Sequence, residues 1–520
     1  PILVAVYLEN RPELLAIVTG LAKIGVISAL VNTSQTGKIL THSVNLVKPK
    51  MAIVGDELVS NFSEVLADLD IDSSKLFWLA DEDTLKSPGT PPSGYRNLAT
   101  EISPQPTYNP ATTNQNYRND GLFYIYTSGT TGMPKAAIFS HGRWMKAYGA
   151  FGYTMQMGKT DVIYVTLPFY HATAMCVCWG SALAGASGVA MRRKFSAREF
   201  WEDCRKYRAT AIGYVGELCR YLNEVPAKPI DRDHLVRKAI GNGLRPGIWM
   251  PFKKRFGIEQ VLELYASSEG NIGFSNIFNF DNTVGFSPLP YAIVEYDKEN
   301  EQPVRGKDGF MKKVKKGESG LMVAQITDKT PFDGYTDPAK NEASILRDVF
   351  EKGDRYFNTG DLLRDIGFRH AQFVDRTGDT FRWKGENVST TEIENIMTGH
   401  PTLQDAVVYG VEIPNTNGRA GMSAITPHDG HSMDDLDLPG LYALLKRELP
   451  AYAVPVFLRE QKVVETTGTF KYQKTTLKKE GFDPAQVNGD PLYVVLPGAA
   501  EYVPLTAEIY ENIQQGKYRF

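Results

Sequence analysis

Residues 124–135, YIYTSGTTGMPK, gather the hydroxyls of Thr127, Ser128, Thr130 and Thr131, two glycines, Gly129 and Gly132, and the ammonium of Lys135 into one short turn. Hydroxyls and an ammonium donate to phosphate oxygens, and glycines let backbone N–H groups come close to them. A strand pattern, GLFYIYTS, stands before the turn and a helix-compatible run, AIFSHGRWMKAYGA, after it. The spacing is not that of a Walker loop, because Gly129 and Gly132 are three apart and Lys135 is followed by Ala136. A P-loop kinase or ATPase is disfavoured on that count. Taken alone, the stretch reads equally as a Ser/Thr/Gly surface turn.

Other segments carry residues of related chemistry. YASSEG (265–270) sets Tyr265, Ser268 and Glu269 at the end of an apolar strand, VLELY, where parallel sheets put their sites. On its own Glu269 is a solvated loop acid. Gly-Asn-Gly at 241–243 is a weak turn signal. YFNTGDLL (356–363) holds Asp361 in a Thr-Gly-Asp that is also a common turn, and DRTGDTFRWKGENVSTTEIE (375–394) contains Arg376, Gly378, Arg382 and Gly385. ETTGTFKYQK (465–474) holds Lys471 and Lys474, in a run that by itself is a basic helix face. His171, in PFYHATA, follows a strand, where a lone His is usually structural.

Together, and in this order, these segments resemble the signatures of the adenylate-forming superfamily, which includes acyl-CoA synthetases, luciferases and peptide-synthetase adenylation domains. The resemblance implies a reaction in two halves: a carboxylate attacks the α-phosphorus of ATP and releases pyrophosphate, then coenzyme A displaces AMP. It implies that the Thr127–Lys135 turn grips the β- and γ-phosphates and that Thr127 and Glu269 hold Mg²⁺. Gly243, Leu264 and Tyr265 would form the adenine pocket with Ser268 beside it, and Asp361 with Arg376 would meet the ribose hydroxyls. Arg382 would reach the nucleotide phosphates, Gly385 the pantetheine, and His171 the acyl entry. Lys471 would neutralise charge as the carboxylate meets the α-phosphate, with Lys474 as the alternative.

Two places depart from the commoner family pattern. Gly468 is separated from Lys471 by Thr469 and Phe470, and Gly378 stands at the hinge where relatives often carry Asp or Lys. A glycine there eases a backbone rotation.

Within the superfamily, VGFSP, DVFEKGD, RWKGENVSTTEIE, GTFKYQK and the tail AEYVPLTAEIYENI resemble the fatty acid transport protein and very-long-chain acyl-CoA synthetase branch. This implies an ATP-dependent fatty acid:CoA ligase. The alternatives are a ligase for an aryl, bile-type or carnitine-like acid, or a fatty-acid uptake protein with ligation secondary.

Positioning such residues takes alternating elements. The first sixty residues alternate strand and helix patterns, ILVAVYL, PELLAIVTGLAKIG, VISALVN, GKILTHSVNLVKP and MAIVG, the rhythm of a parallel sheet with helices on its faces. A polar connection over 87–119 follows. Strands DVIYVTLP, AIGYVG and QVLELYASSEG then alternate with helix patterns AREFWEDCRKYRA and HLVRKAIGNG. Short strands over about 283–376 suggest a β-rich subdomain. The expected fold is α/β: a large N-terminal domain of doubly wound sheets with that subdomain (1–377), then a small mobile α+β C-terminal domain (378–520).

Composition bounds the class. The 520 residues are 42% apolar and 22% charged with a net charge of −3, which fits a multidomain globular enzyme and gives no case for nucleic acid as a partner. Cys176, Cys178, Cys204 and Cys219 show no metal-ligand spacing and read as buried thiols of a reducing compartment. The opening residues carry a strand pattern rather than a signal-peptide pattern. Ala172–Met191 is uncharged over a length that could span a bilayer, but it is rich in Ala and Gly, so a core helix, a turn and a strand is the expectation. Its small residues would either leave room for an acyl chain or pack helices tightly. The expected location is cytoplasmic, with contact at a membrane face open.

Overall fold

In the computed structural model the described residues are 2–81, 89–127, 134–266, 270–297, 302–332, 334, 338–377, 381–384, 386–416, 418–428, 435–461 and 474–520. The chain divides into two compact units, residues 1–290 with 325–346, and residues 291–324 with 347–520. Gly378, at the expected domain boundary, lies outside the described residues, and both its flanks belong to the second unit.

In the first unit, the apolar runs LVAVY, ISAL and MAIVG become strands β1 (Leu3–Tyr7), β2 (Ile27–Leu30) and β3 (Met51–Gly55), buried on both faces as parallel strands are. Helix α1 (Pro12–Lys23) starts with proline, whose missing N–H costs nothing in a first turn, and α2 (Gly37–Val47) buries Leu40, Val44 and Val47. With β4 (Leu76–Leu79), β5 (Arg96–Asn97), β6 (Gly121–Thr127) and β7 (Lys135–Ser140) they form a sheet of order β5-β4-β3-β1-β2-β6-β7. Only the β6–β7 pair in it is antiparallel.

That pair corrects one expectation. The run after the phosphate-loop stretch does not begin as a helix; Lys135–Ser140 is a strand, and α3 (His141–Met155) starts only after Ser140, whose hydroxyl caps it by accepting from the Arg143 N–H. Ala-rich KAAIFS tolerates a helix, but pairing with β6 decides the outcome. The stretch is therefore flanked by the two strands of a hairpin, and the helix starts only beyond the second of them.

The second sheet of this unit runs β12-β11-β10-β8-β9, all parallel: β8 (Val162–Val165), β9 (Gly188–Met191), β10 (Ala211–Val215), β11 (Lys238–Asn242) and β12 (Gln260–Ala266). Beyond β12, β13 (Gly273–Ser275) and β14 (Gly285–Phe286) continue it antiparallel. The segment HLVRKAIGNG, expected as a helix, contains β11; two strand neighbours outweigh its helix-like spacing. Residues 172–191 fold as a π-helical turn (Thr173–Cys178), a short helix α4 (Trp179–Gly185) and β9, as expected, and α5 (Phe200–Lys206) leads on to β10. Among the described residues no helix is long and apolar enough to cross a membrane. The small residues here serve close packing: a Cβ on Gly152 of α3 would strike Ala184, and one on Gly185 the Met157 backbone.

The second unit holds a sheet of order β15-β16-β17-β18: β15 (Tyr291–Val294), β16 (Ser319–Gln325), β17 (Arg355–Gly367) and β18 (His370–Arg376). Its other sheet, β19-β20-β21-β22-β23, is built from Leu403–Val411, Ala420–Pro427, Phe457–Glu460, Leu492–Val494 and Val503–Pro504. Helices α8 (Thr390–Met397), α9 (Leu438–Glu448) and α10 (Lys474–Glu480) accompany that sheet, and Met397, Tyr409, Met422, Leu441 and Phe457 lie in its core.

Candidate active site

The phosphate-loop stretch is carried by the β6–β7 hairpin, in which Tyr126 pairs with Ala136 and Thr127 with Lys135. Ser128, Gly129, Thr130, Thr131 and Gly132 lie outside the described residues. What fixes their ends is α2. The Tyr126 hydroxyl donates to the Ser43 carbonyl at 2.8 Å, and His42 Nε2 meets the Pro134 carbonyl at 3.0 Å. Neither brace is legible in the sequence, because the partners are 83 and 92 residues apart.

Ser268 and Glu269 also lie outside the described residues, between the end of β12 and Gly270. Arg143, in the first turn of α3, donates to the Gly270 carbonyl at 2.6 Å while its guanidinium lies 4.3 Å from the centre of the Phe139 ring. The helix that follows the hairpin is thus tied to the residue that follows Glu269.

At the ends of β11 and β12 the first unit brings several expected residues together. Gly243 has φ +81°, and its carbonyl lies so close to the first residue of α6 (Gly216–Glu224) that a Cβ on Gly216 would overlap it. Leu264 and Tyr265 are buried in β12, opposite Ser275 and Phe274 of β13. The neighbouring Glu263 is 4% exposed, and its Oε1 accepts from the Gly243 and Leu244 N–H groups while its Oε2 bonds the Tyr214 hydroxyl. Burial pushes this carboxyl up to about 8, against the opposing pull of its three hydrogen bonds. Sequence reasoning passed over Glu263. The available signal was an acid inside the apolar run VLELYA.

His171 precedes the π-helical turn, and Thr173 at the start of that turn donates to Asn242 Oδ1 at 3.3 Å. His171 and the Gly-Asn-Gly segment are therefore near neighbours in the fold. π-helical turns recur at functional sites. The four cysteines are all buried, as expected.

In the second unit, Asp361 and Arg376 face each other across β17 and β18, with Arg376 Nε 3.2 Å from Asp361 Oδ1. Asp361 is buried and Arg376 is 55% exposed, so the carboxylate is held and the guanidinium has room to move. Gly360, at φ +67°, sharpens the strand before Asp361, and its carbonyl accepts from the Thr377 N–H at 2.9 Å. The adjacent Asp375, which sequence reasoning did not single out, is 2% exposed and serves α8: it accepts from the Ser389 hydroxyl at 2.8 Å, the Thr390 N–H at 3.1 Å and the Thr391 hydroxyl at 3.3 Å. Arg382 pairs through its backbone with Asn387 in a two-stranded ribbon; Gly385 and Lys471 lie outside the described residues. Lys474 is bound inside the unit, with Nζ 2.8 Å from Glu394 Oε1 and 2.9 Å from Thr390 Oγ1.

Residues 3–311 match the model of the AMP-binding enzyme family, and residues 392–471 that of the AMP-binding enzyme C-terminal domain. The medium/long-chain-fatty-acid–CoA ligase FadD6 of Mycobacterium tuberculosis is 41% identical over 99% of this chain and 83% of its own length. Long-chain fatty acid transport protein 6 of Mus musculus is 38% identical over 98% of this chain and 82% of its own. Among solved structures, the anthranilate CoA ligase AuaEII in complex with anthranoyl-AMP superposes with a TM-score of 0.76 at 18% identity, covering 92% of this chain and 87% of that one. ATP-bound MatB from Rhodopseudomonas palustris gives 0.73 at 20% identity, covering 92% and 88%. These structures share the fold, and with the family match over more than half its length this chain belongs to the AMP-binding enzymes.

Proposed function

We propose that this protein is an ATP-dependent fatty acid:CoA ligase that makes long- or very-long-chain acyl-CoA through an acyl-adenylate. The observation that carries the reading is the 41% identity, across 99% of the chain, to a relative named as a medium/long-chain-fatty-acid–CoA ligase. In the first half-reaction a carboxylate oxygen bonds the α-phosphorus of ATP, the bond to the β-phosphate oxygen breaks, and pyrophosphate leaves. In the second, the sulfur of coenzyme A bonds the acyl carbon, the carbon–oxygen bond to phosphate breaks, and AMP leaves. The sulfur arrives as thiolate, its proton given to solvent or base.

The assigned roles follow the chemistry each half needs. The turn Thr127–Lys135 holds the β- and γ-phosphates, and Gly243, Leu264 and Tyr265 receive the base with Ser268 beside it. Asp361, steadied by Arg376, accepts from the ribose hydroxyls, and Arg382 serves the phosphates. Thr127 and Glu269 stand at or just past the ends of β6 and β12, and a hydroxyl with a carboxylate suits a hard cation; Mg²⁺ held there would neutralise phosphate charge. Lys471 stabilises the α-phosphate as the carboxylate attacks. In support of Lys471 over Lys474, the Lys474 ammonium is engaged by Glu394 and Thr390 within its own unit. His171 borders the acyl entry, Gly385 the pantetheine, and Gly378 is the hinge between residues 1–377 and 378–520.

A panel of carboxylic acids with CoA and ATP, reading AMP formation against chain length, tests the reading. AMP formation is expected with C16–C24 acids; formation with aryl or short acids alone would replace the substrate class. Lys471→Ala is expected to lower thioester formation by about a hundredfold or more. The names of the transport-protein relatives favour a second reading, fatty-acid uptake with ligation secondary. Unchanged cellular uptake by Lys471→Ala would separate transport from chemistry.

A further inference from the structure

Strand β12 lies between β11 and β13, and every residue of Val261–Tyr265 is buried. Five apolar side chains are what such a strand calls for, yet the middle one is Glu263. An acid in that place gives up its hydration, and an apolar residue of similar size would be the cheaper way to fill the space. The position therefore needs an account beyond packing.

The partners supply one. Gly241 and Asn242 end β11, Gly243 and Leu244 carry the chain out of it, and two close backbone approaches shape this stretch. A Cβ on Gly241 would overlap the Tyr214 carbonyl, and one on Gly216 the Gly243 carbonyl, so the backbone of β10 and α6 limits the stretch on one side. From β12, Glu263 Oε1 takes the N–H groups of both Gly243 and Leu244. Its Oε2 is anchored in turn by the hydroxyl of Tyr214, whose ring is fully buried in β10. One side chain thus joins three adjacent strands at the end where the chain leaves β11. Gly243 itself is exposed, so the pinned stretch presents a surface to a ligand.

We infer that Glu263 is a positioning residue for the base of ATP: it fixes the backbone of the Gly241–Leu244 stretch, and the fixed stretch sets both ATP affinity and the choice of adenine over guanine. This rests on the assignment of Gly243, Leu264 and Tyr265 to the base. Glu263 touches no reacting atom in this scheme and acts only through that stretch. Glutamine has the same shape; its carbonyl accepts from both N–H groups and its amide donates to the Tyr214 hydroxyl, so Glu263→Gln keeps the pin and Glu263→Ala removes it.

Pyrophosphate exchange and the full ligation, with ATP, fatty acid and CoA varied in turn and GTP as competing nucleotide, test the inference. Glu263→Ala is expected to raise KM for ATP about tenfold or more and to narrow the preference for ATP over GTP, with KM for fatty acid and CoA within about twofold of the parent. Glu263→Gln is expected to stay within about threefold of the parent in every constant. A fall in kcat alone, with KM for ATP and the ATP/GTP ratio unchanged, would leave Glu263 a packing residue and overturn the inference. If Glu263→Ala does not fold, Tyr214→Phe carries the test, with KM for ATP up about two- to threefold and no other constant moved; an unchanged KM for ATP overturns it. Failure of the parent protein to exchange pyrophosphate with any acid sinks the ligase reading itself, an outcome distinct from both.

Discussion

Glu263 in the first unit and Asp375 in the second are both buried carboxyls that organise the backbone beside expected nucleotide-binding residues, and they do it in opposite ways. Asp375 accepts from Ser389, Thr390 and Thr391, at the N-terminus of α8, where the helix dipole favours negative charge. Glu263 takes no N–H group of a helix's first turn; it accepts from Gly243 and Leu244, which stand just before the Arg245 N-cap of the next helix, and from a phenol, and burial works against its charge. At the α8 N-terminus the surroundings favour negative charge, whereas around Glu263 burial opposes it and pushes the carboxyl up to about 8. A buried acid is therefore not one kind of structural part. Which backbone groups surround it decides whether its charge or its shape is used.

Three variants sharpen or break this contrast. The largest effect is expected beside α8. Lys474→Met leaves Glu394 as a buried carboxylate without its ammonium, which costs about 3–5 kcal/mol and is read by urea denaturation. A loss below 1 kcal/mol would mean that the second unit does not depend on charge. Next, Asp375→Asn keeps the shape and removes the charge at the α8 N-terminus. It is expected to cost about 1–2 kcal/mol, whereas the corresponding Glu263→Gln costs little or stabilises near neutral pH. Equal losses for the two amides would erase the distinction.

The smallest effect is one of pH. Glu263 in the folded protein titrates near 8, above the 4.5 of an ordinary glutamate, so between these values the folded chain keeps a proton that the unfolded chain has lost. Stability from this group is full below about 4.5 and falls as pH rises through about 8. Parent and Glu263→Gln melting curves, compared from pH 5 to 9, should therefore shift in the variant's favour with rising pH; a constant difference would show that the group does not titrate there.

Much of the scaffold is legible in the sequence. LVAVY, ISAL and MAIVG are apolar runs with helix patterns between them, and they fold as the parallel sheet that this alternation implies. KAAIFS and HLVRKAIGNG were misleading for one reason: local preference permits helix, and only the neighbouring strand, distant in sequence, makes them β7 and β11. Helix α7 (Pro246–Phe256) escaped notice because Pro251 lies inside it. Candidate site residues were legible where they cluster in short segments. Glu263 was not, because Gly243 lies 20 and Tyr214 49 residues away. Asp375 was overshadowed by its neighbour Arg376, and the purpose of Lys474 shows only once α8 is folded beside it.

The four cysteines also give the molecule an unplanned optical label. All are buried in the first unit, and burial pushes the Cys176 and Cys178 thiols up to about 12 and the other two upward as well, so the reactive thiolate is scarce in the folded state. The second unit contains no cysteine at all. A thiol-reactive dye added to the native protein is then a clock for the opening of one half of the chain, and its rate with and without ATP reports how firmly the nucleotide closes that half while the other stays dark.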